Sequence, residues 1–364
     1  MGDPRRTETF ADADALYRRA QAIALEQSIE MPLSGVTDES VRVHQVGRVH
    51  SVHAGSGEIT VSLHIGTFGR EPGQLMNMLF GNVSLQPDVE LLDIEADEDW
   101  LRGWPGPAHG INGLRTATGA DAGRALTCSA LKPQGLPASR LAALAGEFAR
   151  AGIDVIKDDH GIADQASAPF ATRVPAVQAE IERANALRRD GGRTLYAPTI
   201  SGAPRQVREQ LALAREHHVG ALLACPMLLG VAGFAELCAQ SDVPVIAHPA
   251  LAGATRIAPA LLLGRLFRLF GADASVFPNS GGRFSYDPPT CEAIVAALRG
   301  PMAGLAPALP VPAGGMTVAR IPEMIERFGH EQMLLIGGNL LEAPGEIATR
   351  AQRFVEAVHA ATTS

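Results

Sequence analysis

Cysteine is scarce in this chain of 364 residues. The four cysteines, Cys128, Cys225, Cys238 and Cys291, are scattered and form no CxxC pair. That leads us to expect reduced thiols in a cytoplasmic protein, with a redox role as the alternative. No apolar run reaches about 18 residues, the length a membrane span needs. The start, Met1-Gly-Asp-Pro-Arg-Arg6, carries no apolar leader core. The expectation is a soluble protein with no membrane partner. Basic runs are missing too, and the net charge is −8, so nucleic acid and anionic lipid are poor partners. Aromatics supply only 5% of residues, which disfavours an aromatic-rich β sandwich.

What is present is aliphatic. Hydrophobic residues make up 46%, mostly Ala, Leu, Val and Ile, and suit α/β packing. The length allows two domains, or one large domain with an appendage. From about residue 125 a beat repeats: a short apolar run ends in Gly, Pro or polar residues, and an amphipathic helical stretch follows. The strand candidates are Ala125–Lys132, Ile153–Asp158, Thr194–Thr199, Ala221–Cys225, Pro244–His248, Ala274–Phe277, Ala308–Pro312 and Met333–Ile336. Helical stretches include Ala138–Ala151, Val174–Arg189, Pro204–His217, Pro288–Leu298, Val318–Phe328 and a last one near Gly345–Ala361. Eight strands alternating with helices predict a (β/α)8 TIM barrel, with a doubly wound open sheet as the competing arrangement.

The first part of the chain reads differently. A helix is predicted over Ala11–Gln27, strands over His44–His53, Glu58–Phe68 and Glu90–Ala96, and a helix over Pro72–Phe80. This predicts a small α+β domain over residues 1–115, joined through the Gly/Pro-rich stretch Gly103–Gly123 to a barrel over 116–364.

The run Gly152-Ile-Asp-Val-Ile-Lys-Asp-Asp-His160 stands out. An apolar strand ends abruptly in a lysine, two acids and a histidine, and in a parallel barrel that tip is where chemistry is done. Lys157 and Asp159 share a strand face, and carboxylate oxygens suit Mg2+. A lysine joins such a site only as a carbamate; otherwise Lys157 and Asp159 form an ion pair closing the barrel, with His160 solvated. Lys132, at the end of the first barrel strand, is either a surface lysine or a candidate acid/base. Gly314-Gly315 and Gly337-Gly338 follow the seventh and eighth strands, where bared N–H groups hold phosphate in many barrels. Tight βα turns would show the same pairs. His248 ends the fifth strand and could donate to substrate oxygens. Arg283, after the sixth, could meet a carboxylate or second phosphate. Either could equally be a structural loop residue.

Together these stretches resemble the large subunit of ribulose bisphosphate carboxylase (RuBisCO), and more closely its RuBisCO-like relatives, over roughly residues 10–350. The motifs are Gly106-Pro-Ala-His-Gly-Ile111, Leu131-Lys-Pro133 with Gly135-Leu136, Gly152–Asp159, Ala313-Gly-Gly315 and Gly337-Gly338. The resemblance implies a ferredoxin-like α+β domain before the barrel and a homodimer or assembly of dimers. It implies Mg2+ with CO2 as a carbamate on Lys157, Asp159 as a metal ligand, and Lys132 as acid/base. It further implies that Glu26 and Asn82 reach the partner subunit's site. The chain departs from the carboxylase at four places. His160 stands where a glutamate ligand is expected, Gln134 replaces a second lysine, and Pro249 replaces an arginine after His248. The loop Asn279–Arg283 is short and carries no lysine.

Those departures predict no carboxylation of ribulose bisphosphate, because the groups that add CO2 and grip a second phosphate are missing. The enediolate-forming groups remain. The leading expectation is therefore a Mg2+-dependent decarboxylase or transcarboxylase/hydrolase of a phosphorylated β-keto sugar acid, of the 3-oxo-isoapionate 4-phosphate type. One alternative is an isomerase or enolase acting on a thioribulose-type phosphate in methionine salvage. A non-catalytic metabolite-binding protein is the other.

Overall fold

The computed structural model describes residues 13–361. It divides into two compact units, Met1–Leu91 and Leu92–Ser364.

In the first unit a helix covers Ala13–Glu26 and buries Leu16, Ala20, Ile23 and Ala24 on one face, the spacing of an amphipathic helix. Ala11 and Asp12, where this helix was expected to begin, lie outside the described residues. Strands β1 (Arg48–His53) and β2 (Glu58–Ser62) form an antiparallel hairpin. Both are shorter than expected, because capped turns compete at their outer ends. Asp38 caps the helix Glu39–His44 by accepting from the Val41 N–H, and His64 caps a 3-10 turn at Ile65–Thr67. The strand expected at Glu90–Ala96 does not form; Leu91 makes a lone bridge. The helix Pro72–Phe80 has proline in its first turn and is capped by Glu71, which accepts from the Gly73 and Gln74 N–H groups. Buried Gln27 ties the two helices together, donating to the carbonyls of Asn77 and Met78 at 3.2 and 2.6 Å.

The second unit is a parallel barrel. Its strands are β3 (Leu126–Leu131), β4 (Val155–Asp158), β5 (Leu195–Ala197), β6 (Thr199–Ile200), β7 (Leu222–Ala224), β8 (Val245–Ala247), β9 (Ala274–Pro278), β10 (Leu309–Ala313) and β11 (Met333–Leu335). The order is β5-β4-β3-β11-β10-β9-β8-β7-β6. β5 and β6 are halves of the expected third strand, interrupted at Pro198, which has no N–H to donate. The two halves close the ring: Ala221 donates to the Tyr196 carbonyl and Leu223 to the Pro198 carbonyl, at 3.0 and 2.9 Å. The eight expected runs are therefore all barrel staves.

Alternate strand residues face the lumen and fill it: Leu126, Cys128, Val155, Ala197, Leu223, Ile246, Ala274, Val276, Leu309, Val311, Met333 and Leu335. The helix Gly110–Thr118 adds Ile111 and Leu114 to the same cluster. It is pinned at the strands' starting end, where the Asp273 carboxylate accepts from the His109 and Gly110 N–H groups at 2.7 Å each. The residues just before 116 thus belong to the barrel core, and the compact division lies at Leu91/Leu92 rather than at 115/116. At the same end Arg124 pairs bidentately with buried Asp154, at 2.7 Å for each bond.

Candidate functional site

The strand alternation that fills the lumen continues past its last apolar layer. One step above Val155 it turns Lys157 inward, and then Asp159. The same step from Leu223 reaches Cys225, from Ile246 reaches His248, and from Leu335 reaches Gly337. The intervening Asp158 points the other way. It accepts from the Tyr196 hydroxyl at 2.9 Å, the Thr199 N–H at 3.0 Å and the Arg173 guanidinium. Arg173 and Asp158 are both fully buried, and the carboxylate keeps the guanidinium pKa above its ordinary value against the cost of burial. This pair anchors the backbone between Lys157 and Asp159.

Lys157 is 3% exposed, and its ammonium donates to the Asp158 carbonyl at 3.0 Å. Burial is the main influence on the amine and lowers its pKa, favouring the neutral form. Lys132 forms an ion pair with Asp159. Burial would raise the Asp159 pKa, but the hydrogen bond from Lys132 and the charges of Lys157 and Lys132 outweigh it and hold the carboxyl below its usual range. The Gly161 N–H donates to Asp159 Oδ1 at 3.2 Å, and His160 Nδ1 lies 3.4 Å from the same oxygen. The His160 ring stacks on His248 with centroids 4.2 Å apart and planes 15° from parallel. Burial, reinforced by the charge of Lys157, holds His248 well below the ordinary histidine pKa, so it is a neutral imidazole. Its Nδ1 accepts from the Ala250 N–H at 3.2 Å, which assigns the ring proton to Nε2.

Two thiols border this centre that the sequence pattern did not mark. Burial pushes Cys225 up to about 11 and Cys128 up to about 12, and both sense the charge of Lys157. Both stay protonated and unreactive as nucleophiles. Strand parity would have pointed to them. A plainer signal also lies in the composition: Lys132 and Lys157 are the only lysines in the chain, amid arginines.

The glycine pairs behave differently. Gly337 adjoins Lys132, whose Cε would lie 3.8 Å from a Cβ placed there, and Gly338 opens a short helix with free space around it. Gly314 and Gly315 have φ of 86° and 63°, and Gly315 packs on the backbone of Gly281 and Gly282. Arg320 ties the same two loops together, donating to the Ser280 and Gly315 carbonyls at 2.8 and 3.3 Å. A Cβ at Gly315 would sit 2.7 Å from Gly282 Cα, and no side-chain movement relieves a backbone clash. Gly315→Ala should therefore lower stability by about 1–3 kcal/mol. Gly338→Ala should leave the unfolding midpoint unchanged; equal midpoints for both variants in urea denaturation would refute the packing argument.

Arg283 is exposed, and its guanidinium lies over the Phe284 ring, 4.9 Å from the centroid. Glu26 and Asn82 belong to the first unit, where the Asn82 amide donates to the Glu26 carboxylate at 2.9 Å.

Among the described residues no three His, Cys, Asp or Glu side chains form a ready metal set. The donors fit a hard divalent cation only if Lys157 contributes an oxygen. Its buried amine, biased to the neutral form, is the species that reacts with CO2, and Asp159 beside it is held ionised. A carbamate with Asp159 would supply the oxygen donors Mg2+ takes, while His160 Nδ1 is a nitrogen donor more natural for Mn2+ or Zn2+.

Residues 110–281 match the family model for the ribulose bisphosphate carboxylase large chain, catalytic domain. The chain is 49% identical over 357 residues to a 5-methylthioribulose-1-phosphate isomerase of Rhodospirillum rubrum, covering 97% of this chain and 95% of that protein. It is 32% identical to a 2,3-diketo-5-methylthiopentyl-1-phosphate enolase of Geobacillus thermodenitrificans, covering 81% and 73%. The crystal structure of a Rubisco-like protein from Rhodopseudomonas palustris superposes with a TM-score of 0.89 at 46% identity, covering 98% and 97% of the two chains.

These relatives correct the expected reaction. The expectation of a decarboxylase or transcarboxylase/hydrolase of a phosphorylated β-keto sugar acid is overturned, since the relatives carry the names of an isomerase and an enolase of thiomethyl sugar phosphates. Arg283, which could have met a substrate carboxylate, is exposed with its guanidinium over the Phe284 ring. By sequence and by fold, the chain is a member of the RuBisCO-like protein family.

Proposed function

We propose that this protein is an isomerase of a thioether-bearing ketose phosphate of the 5-methylthioribulose 1-phosphate type, working through proton removal and return next to a carbonyl. The observation that carries the reading is the centre itself: Lys157 buried beside Asp159, with Lys132 paired to that carboxylate and next to Gly337. Such a cluster suits moving a proton between neighbouring carbons, with no net oxidation and no bond to CO2 broken. The identity of 49% to an enzyme named for this isomerisation supports the choice over the enolase, to which identity is 32%.

In this reading Lys132, as the neutral amine once it has given up its proton, takes the carbon-bound proton at Nζ and returns it from the ammonium, which Asp159 orients. His248 donates from Nε2 to a substrate oxygen. Main-chain N–H groups at Gly314, Gly315, Gly337 and Gly338 receive the phosphate. Lys157 as a carbamate, Asp159 and His160 would hold Mg2+, which would stabilise negative charge developing on the substrate oxygen. Glu26 and Asn82 serve the site of a second copy, which makes the working unit a homodimer or an assembly of dimers.

The test is turnover of 5-methylthioribulose 1-phosphate by purified protein with Mg2+ and bicarbonate, followed by proton NMR in D2O. An isomeric product with deuterium at the exchanged carbon is expected, and activity should vanish with EDTA. A product lacking the phosphate or one carbon, or no product, would overturn the proposal. No helix among the described residues is long and apolar enough to cross a membrane.

A further inference from the structure

The mouth of the barrel is chemically lopsided. The half built from the ends of β10, β11, β3 and β4 carries Gly314, Gly315, Gly337, Lys132 and Asp159, all polar or bare backbone. The loops after β7, β8 and β9 are different. Each exposes one large apolar side chain: Leu228 at 54%, Leu251 at 55% and Phe284 at 71%. β7 pairs with β8, and β8 with β9, so the three loops are consecutive around the same end of the ring. Large apolar groups left in water on adjacent loops mark a binding surface.

Leu251 is the most telling of the three. Its φ is 68°, a left-handed conformation uncommon for a residue other than glycine. Its side chain lies out in solvent, three residues after His248, whose ring stacks on His160. Pro249 between them offers no side-chain donor. On the same arc the Arg283 guanidinium lies over one face of Phe284. The remaining ring surface suits a polarizable sulfur.

Resting on the isomerase reading, we propose that Leu228, Leu251 and Phe284 form the subsite for the apolar thioether end of the substrate and set its specificity. The phosphate lies on the glycine half of the mouth, the reacting carbons sit over Lys157 and Lys132, and the methylthio group reaches the arc after β7–β9.

The experiment compares kcat/KM for two ketose phosphates that differ only at the carbon distal to the phosphate, one bearing a methylthio group and the other a hydroxyl. The variants are Phe284→Ala and Leu251→Gly, the latter chosen because glycine suits the left-handed backbone. The preference of the unaltered protein for the thioether should be about 10-fold or more, and each variant should reduce that ratio several-fold. A ratio unmoved by either variant, or no preference in the unaltered protein, overturns the subsite and leaves the isomerase reading standing. Turnover of neither compound overturns the isomerase reading and the subsite with it.

Discussion

Lys157→Ala should leave a folded protein whose turnover is lower by at least about 1,000-fold. The argument starts from burial. The ammonium is removed from water and meets the Asp158 carbonyl at 3.0 Å, while its carboxylate neighbour Asp159 is already shared with Lys132. Holding a charged amine there costs stability, so alanine should leave the melting temperature unchanged or higher. A purely structural lysine would give the opposite pattern, with lost stability and retained rate. The scarcity of lysine sharpens the measurement. With only Lys132 and Lys157 in the chain, 13C-bicarbonate should give a side-chain carbamate resonance that disappears in Lys157→Ala and persists in Lys132→Gln. His160→Ala should cost less, about 10- to 100-fold in apparent Mg2+ affinity. A carbamate signal that survives in Lys157→Ala, or full activity in that variant, would remove the basis of the metal site.

Arg173→Ala is expected to have the largest effect on stability, about 3–5 kcal/mol, because it strands a charge in the interior. Asp158 and Arg173 have no exposed surface. The guanidinium also donates to the carbonyls of Ala168 and Ala163 at 2.6 and 2.7 Å, which holds the loop entering the helix Phe170–Leu187. Tyr196→Phe removes one neutral donor from the same carboxylate and should cost less, about 1.5–3 kcal/mol. The order Arg173→Ala worse than Tyr196→Phe can be read from urea midpoints. Unfolding of Arg173→Ala at the unaltered midpoint would mean that Asp158 is not held as a buried anion. Since Asp158 lies between Lys157 and Asp159, any Arg173→Ala protein that folds should also turn over slowly.

The barrel was legible because its signals are local. Each stave announces itself as a short apolar run between turn residues, and its period-2 burial makes the inward positions countable, so Lys157 and Asp159 share a side whatever the rest of the chain does. Lys132, Lys157, Asp159, His160 and His248 could be named as candidates for the same reason: each ends an apolar run with a polar group. The strand expected at Glu90–Ala96 failed because apolar alternation alone does not supply a partner strand. The domain boundary was misplaced because the Gly/Pro-rich stretch that marks a linker also contains Ile111 and Leu114, which close the barrel floor.

Other features depended on residues far apart in sequence. Nothing local says that Asp158 turns away to meet Arg173 and Tyr196 while its two neighbours turn inward. Nothing local brings His160 onto His248, or Cys225 toward Lys157. Nothing local sets the Arg283 guanidinium over the ring of Phe284. Residue order and hydrophobic period decided the architecture and which side chains could reach the mouth. Ring closure decided which of them meet, because only when the interrupted third stave joins both of its neighbours do groups from distant strands share one water-poor space, and in that space burial and neighbouring charge set their protonation.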